Sequence, residues 1–158
     1  MKAMLVLAVF LLGANAAEKS QKIPTRTEVK VVENIQSYVS YPNATVTPLE
    51  FTFGVNQRSL YNQNWYSLGS RVTGDRLVAV DSGSAVYPSK QNLELKILYP
   101  SVGVGAVVSN VQVLITQDNG TAGRGYVVAG GIGQRYIQLV IEAWNTAYIR
   151  YDYSFYGI

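Results

Sequence analysis

The chain contains no histidine and no cysteine. Without either residue, neither a Ser-His-Asp triad nor a Cys-His nucleophile can be built. Zinc and copper centres of the His/Cys type are excluded as well. The side chain that titrates unperturbed near neutral pH is missing, and no disulfide can staple the fold. Charge is also scarce: charged residues make up 15% of the chain and apolar residues 48%, a balance too hydrophobic for a disordered polymer. The net charge of +3 is small. Basic residues are dispersed apart from a loose group at Lys19, Lys22, Arg26 and Lys30, which reads as a solvated leader rather than a patch for nucleic acid.

Cofactor signatures are lacking too. No Asp-x-Asp-x-Asp-Gly calcium loop is present. The glycine-rich stretch Gly123–Gly133 has neither a Gly-Lys-Ser/Thr ending nor a dinucleotide fingerprint between strand and helix. Its glycines read as turns, bulges and close strand approaches. No cofactor and no metal are expected.

What is present begins with the N-terminus. Met1 and Lys2 precede an apolar run from Ala3 to Leu12, Gly13 breaks it, and Ala14-Asn15-Ala16 offers small residues to a signal peptidase. This pattern predicts a secretory signal peptide over residues 1–16, cleaved between Ala16 and Ala17. The run is too short to span a bilayer, which takes ~20 residues. Val102–Ile115 is interrupted by Ser109, Asn110 and Gln112, so no membrane span is expected there either. A polar arm over 17–30 and a single domain over 31–158 complete the expected organisation.

From Val29 onward, β-branched and aromatic runs alternate with Gly, Pro, Asn and Asp. Arg76–Val80 follows the turn-like Thr73-Gly74-Asp75. Leu93, Leu95, Ile97 and Tyr99 alternate with Asn92, Glu94, Lys96 and Leu98, and Pro100 ends that strand. Val107–Thr116 reads as a strand buried over most of both faces. Tyr136–Ala143 and Ala147–Tyr156 read as two strands of a hairpin connected by Trp144-Asn145-Thr146. No amphipathic helix follows the leader. The expected fold is all-β, an antiparallel β-sandwich or flattened barrel preceded by a cleaved signal helix.

Two sequons, Asn43-Ala44-Thr45 and Asn119-Gly120-Thr121, fall in turn-like segments and are candidate N-glycosylation sites on an exported chain. Asp75, Asp81, Glu94, Asp118, Glu142 and Asp152 are scattered singly. Glu94 and Glu142 fall on the polar faces of their strands, where a solvated charge is the ordinary expectation. The 12 tyrosines are the strongest positive signal; they suit half-buried sheet faces and wet recognition surfaces. In the last strand, Tyr148, Arg150 and Tyr156 lie on the face expected to be exposed, the candidate binding surface.

Three blocks carry a resemblance: Gly69-Ser70-Arg71-Val72-Thr73-Gly74-Asp75-Arg76-Leu77-Val78; Ile97-Leu98-Tyr99-Pro100 with Gly103-Val104-Gly105-Ala106-Val107-Val108; and Gly123–Gln134, with Tyr156-Gly157 at the end. In order and spacing they resemble the arthropod family named for multiprotein bridging factor 2, whose members are often labelled salivary secreted peptides. The resemblance spans Gly69 to Gly157; it supplies no catalytic residues and does not identify a ligand. The family name implies a transcriptional co-activator, whereas the leader implies export. The expected function is therefore a small secreted, non-enzymatic protein of an insect-type salivary family. It would bind an extracellular protein or glycan, or serve as a component of the secretion. The alternatives are a transcriptional co-activator and a secreted carboxylate-dependent hydrolase.

Overall fold

A computed structural model of the protein describes residues 22–33, 47–54, 60–118 and 120–158. These contain eight strands and no helix: β1 (Arg26–Val32), β2 (Thr47–Pro48), β3 (Glu50–Gly54), β4 (Tyr61–Gly69), β5 (Arg76–Tyr99), β6 (Val108–Asp118), β7 (Gly123–Gly130) and β8 (Ile137–Gly157). The pairings are all antiparallel. They form one unclosed sheet of order β1-β5-β8-β6-β4-β3, with β7 paired to β8 and β2 to β7.

The spine is the pair β5 and β8, of 24 and 21 residues. One side of β8 follows β5 from end to end. The other side meets β7 along Ile137–Ala143 and β6 along Ile149–Gly157. The sheet thus has two wings. The first holds β3, β4, β6, the end of β8 and the start of β5; the second holds β1, β2, β7, the start of β8 and the end of β5.

The wings fold onto one another. A 21-residue strand spans roughly 70 Å when straight, and Tyr99 pairs with Ile137 at the far end of β8 from Phe155. Yet the rings of Tyr99 and Phe155 stack with centroids 5.2 Å apart. Leu93, Leu95 and Ile97 of the second wing share one core with Val111, Val113 and Ile115 of the first, all at 0% exposure. Each such side chain contributes about 1.5–3 kcal/mol by burial. The bend lies where the β5–β8 register jumps from Val86↔Tyr148 to Gln91↔Thr146. A bulge of this kind kinks a strand without reversing it. Asn145 takes a φ of 50° there, a conformation asparagine tolerates better than most residues, and its N–H donates to Asn92 Oδ1 at 3.0 Å.

The all-β expectation is met, but the hairpin is not. Apart from Tyr136, which precedes it, Tyr136–Ala143 and Ala147–Tyr156 fall in one continuous strand and do not pair with each other. Trp144-Asn145-Thr146 has the composition of a turn, yet Thr146 is fully buried. Its hydroxyl donates to the Tyr148 carbonyl at 2.7 Å and accepts from Asp118 N–H at 3.1 Å. Arg76–Val80 and Leu93–Tyr99 are likewise parts of one strand. The expected arm over 17–30 also gives way in part: residues 26–30 belong to β1, which pairs with Asn92–Leu98. That strand is polar because it is an edge, where charges such as Glu28 and Lys30, 3.2 Å apart, discourage further pairing. In β6 the expected burial over most of both faces holds, with Val108–Val111 all buried and Gln112 the single exposed position of the strand.

β4 inverts the usual pattern. Asn62, Asn64 and Tyr66 point inward and are buried, while Trp65 points outward and is 45% exposed. The cause is register: Tyr66 pairs with Val113, so β4 inherits its parity from the core face of β6. The inward amides are poorly served. Both polar atoms of Asn64, Oδ1 of Asn62, Oε1 of Gln117 and the Tyr66 hydroxyl have no hydrogen-bond partner among the described residues. Burial, and secondarily the charge of Glu142, raises the Tyr66 phenol well above its ordinary pKa. Gly125 makes room for this ring, since a Cβ there would stand 2.9 Å from Tyr66 Cδ1 and 2.8 Å from Leu49.

Candidate binding face

The outer face of the first wing is a platform of five strands in the order β3-β4-β6-β8-β5. Register aligns outward side chains into rows. Thr52, Trp65, Leu114, Asp152 and Ser82 form one row. Glu50, Ser67, Gln112, Ser154 and Val80 form the next. Gln63, Thr116, Arg150 and Ser84 form a third. The residues are mostly hydroxyls and amides. Of the charged residues in these rows, Arg150 and Asp152 neutralise one another, Arg150 donating through Nε at 3.0 Å and Nη2 at 3.2 Å, while Glu50 lies at the β3 edge.

Two shallow concavities adjoin on this face. One, of about 280 Å³, is lined by residues including Trp65, Ser82, Gln112, Asp152 and Ser154. The other, of about 260 Å³, is lined by Ser82, Gly83, Ser84, Tyr148 and Arg150. Tyr148 is held by Tyr61, whose ring centroid lies 4.7 Å away.

Of the three residues singled out in the last strand, the structure brings two together. Tyr148 and Arg150 line the second concavity. Tyr156 shares their face but sits at the other end, under the Arg71 guanidinium at 3.7 Å. Arg71 in turn pairs with Asp75 at 2.7 Å. The Asp75 carboxylate also accepts from Val72 N–H at 3.0 Å and Ser109 Oγ at 2.8 Å. The Arg71 hydrogen bond, aided by Val72 and Ser109, holds Asp75 well below the usual carboxylate range. Tyr156 therefore packs a loop clamp and does not line the openings. Trp65, Gln112, Ser82 and Ser154 went unnoticed in the sequence because a tryptophan among Asn, Gln and Ser has no parity until β4 is registered against β6.

The opposite wing carries the carboxylates. Glu94 and Glu142, scattered in sequence, are register partners across β5 and β8. Contrary to the expectation of solvated charges, they are only 7% and 1% exposed. Neighbouring strands supply the compensation. Arg124 Nε meets Glu142 Oε2 at 2.6 Å, Tyr126 Oη donates to Oε1 at 3.0 Å and Trp144 Nε1 to Oε2 at 3.2 Å. Lys96 Nζ stands 3.7 Å from Glu94. Like charges directly opposite in a sheet destabilise it unless they are compensated. Here long cationic and aromatic side chains close over them. A facing carboxylate pair is the raw material of glycoside hydrolysis, but Glu142 is closed to solvent in this arrangement. Among the described residues, no group of three or more Asp and Glu is placed to hold a metal ion, and no helix is long and apolar enough to cross a membrane. The leader with Ala16 and Ala17, and the sequon residues Asn43 and Asn119, lie outside the described residues.

Residues 68–157, more than half of the chain, match the family model described as Transcription activator MBF2. The chain belongs to this family. No curated protein and no solved structure matches it. The MBF2 segment contains the whole of β5, β6, β7 and β8. It thus includes the bent spine, the Arg71–Asp75 clamp, the carboxylate pair and most of the platform. Trp65 lies just ahead of it.

Proposed function

We propose that this MBF2-family protein is exported and acts outside the cell by binding, without catalysis, as a component of an insect-type salivary secretion. The observation that carries the reading is the platform of the first wing: a broad sheet face that places Trp65, Tyr148 and Arg150 around two adjoining openings. The leader at Met1–Ala16 supports export. The missing histidine and cysteine support a role that needs neither nucleophile nor metal centre. Its partner is an extracellular protein or glycan.

The test is expression of the tagged full-length chain in insect cells. The protein is expected in the medium, starting at Ala17 and carrying glycan at Asn119 and Asn43. From secreted fluid, the wild type should retain a partner that Arg150→Glu loses. A second reading, transcriptional co-activation, is favoured by the family description; accumulation in nuclei with Met1 intact would replace the first reading by it. A hydrolase built on Glu94 and Glu142 is the third. A loss of more than about a hundredfold in some discovered activity on a single Glu→Gln change, the size expected for removing a general acid or base, would establish that one.

A further inference from the structure

We infer that the outer platform of the first wing binds a neutral linear polysaccharide, with a sugar ring stacked on Trp65. This rests on the binding role proposed above and names the class of ligand.

The inference starts from Trp65. An indole left 45% exposed in mid-strand offers a flat apolar surface that the other described residues leave open. Its cross-strand neighbour Leu114 extends that surface, and Gln112, Ser154, Ser82, Asp152 and Asp81 stand around the same opening. An amide and a hydroxyl each both donate and accept hydrogen bonds, while a carboxylate accepts. A ligand that matches this set presents one apolar face for stacking and a rim of groups that also donate and accept. A pyranose ring has that chemistry.

Charge narrows the class further. Anionic ligands such as phosphates and sulfated glycans call for Arg or Lys free to form charge-assisted bonds. The cation at these openings, Arg150, is already engaged by Asp152. Protein interfaces are depleted of serine at their centres, whereas this face is rich in it. Lipid would leave the amides and hydroxyls unpaired.

The geometry also favours a polymer over a single sugar. The two concavities share Ser82 and run side by side along β5 and β8. Rings of one chain a few units apart can therefore occupy both, one on Trp65 and another beside Tyr148.

The experiment uses the full-length protein expressed in insect cells, taken from medium or cells alike, so that failure of export does not prejudge it. Columns of cellulose, chitin, β-1,3-glucan and mannan serve as neutral probes, with heparin as the anionic control. At least one neutral column should retain the wild type and heparin should not. Trp65→Ala should lower retention at least tenfold, Trp65→Tyr should restore part of it, and Gln112→Ala should weaken it several-fold, all with unchanged circular dichroism. In a Trp144→Phe background, the soluble oligosaccharide of the retaining polymer should change the fluorescence of Trp65. Retention unaltered by Trp65→Ala, or retention on heparin alone, overturns the inference. If no neutral polymer retains the wild type but Arg150→Glu still abolishes capture of a protein partner, the ligand class is wrong and the binding role stands. If neither occurs, both fail.

Discussion

The two wings share one core but treat their outer faces oppositely. On the second wing, Glu94 and Glu142 face one another and are covered by Arg124, Tyr126, Trp144 and Lys96. Charge is concentrated there and turned in on itself. On the first wing charge is sparser, Arg150 is paired with Asp152, and Trp65 is left open. A face that satisfies its own polar groups serves stability. One that leaves stacking surface and hydrogen-bonding groups in the open is available to a partner. Exposure of polar atoms, rather than their number, separates the two.

The largest expected effect tests what the wings have in common. Val113 lies in the first and Leu139 in the second, and both are fully buried. Replacing either by Asp buries an unpaired carboxylate, a cost of several kcal/mol in order of magnitude. Both variants should fail to fold as a whole, with the near-ultraviolet signals of Trp65 and Trp144 lost together. Survival of one signal would mean that the wings are separate cooperative units.

The next test breaks the contrast between outer faces. Glu142→Gln leaves Arg124 without its carboxylate and should destabilise the protein by about 2–3 kcal/mol in urea unfolding, somewhat below a fully buried pair because Arg124 is partly exposed. On the open face, Arg150→Ala should leave the urea midpoint nearly unchanged, because an exposed ion pair contributes little. Equal costs would remove the distinction between a closed face and an available one.

A third comparison uses pH. Hydrogen bonding to Arg71, Val72 N–H and Ser109 depresses Asp75 below its unfolded value. A depressed carboxylate contributes stability above the unfolded pKa, roughly 3.9. That contribution fades as pH falls through the folded value. Asp75→Asn should therefore be less stable than wild type at pH 6, and the gap should narrow steadily below about pH 4. Tyr66 works at the other limit. Its raised phenol favours the folded state fully below about pH 10, and that contribution declines as pH rises through the folded value. Tyr66→Phe should blunt the alkaline loss of stability.

The smallest effect concerns the amides of β4. Asn64 is fully buried, and both its polar atoms are unpartnered among the described residues. Replacing an unserved polar group by an apolar one of similar shape is nearly neutral or stabilising. Asn64→Leu should shift stability by no more than about 1 kcal/mol, in the stabilising direction. A large loss would show that these amides hold something in the protein.

By itself the sequence determined the chemistry that is open and the class of fold. A chain without histidine and cysteine has a short list of reactions. Alternating runs such as Leu93-x-Leu95-x-Ile97-x-Tyr99 have one low-energy use, a strand with one buried face, because a one-residue slip would expose the whole set. The MBF2 relationship was readable too, in the blocks from Gly69 to Gly157. The tertiary structure decided what depends on partners distant in sequence. Trp144-Asn145-Thr146 bends one strand instead of joining two, because β5 runs alongside β8 on both sides of it. Glu94 and Glu142 become neighbours only through pairing of β5 with β8, and long side chains from adjacent strands then remove them from water. Trp65 faces outward because β6 sets the parity of β4. Local patterning settles which residues prefer burial, but in an antiparallel sheet the register between strands far apart in the chain settles which face they obtain.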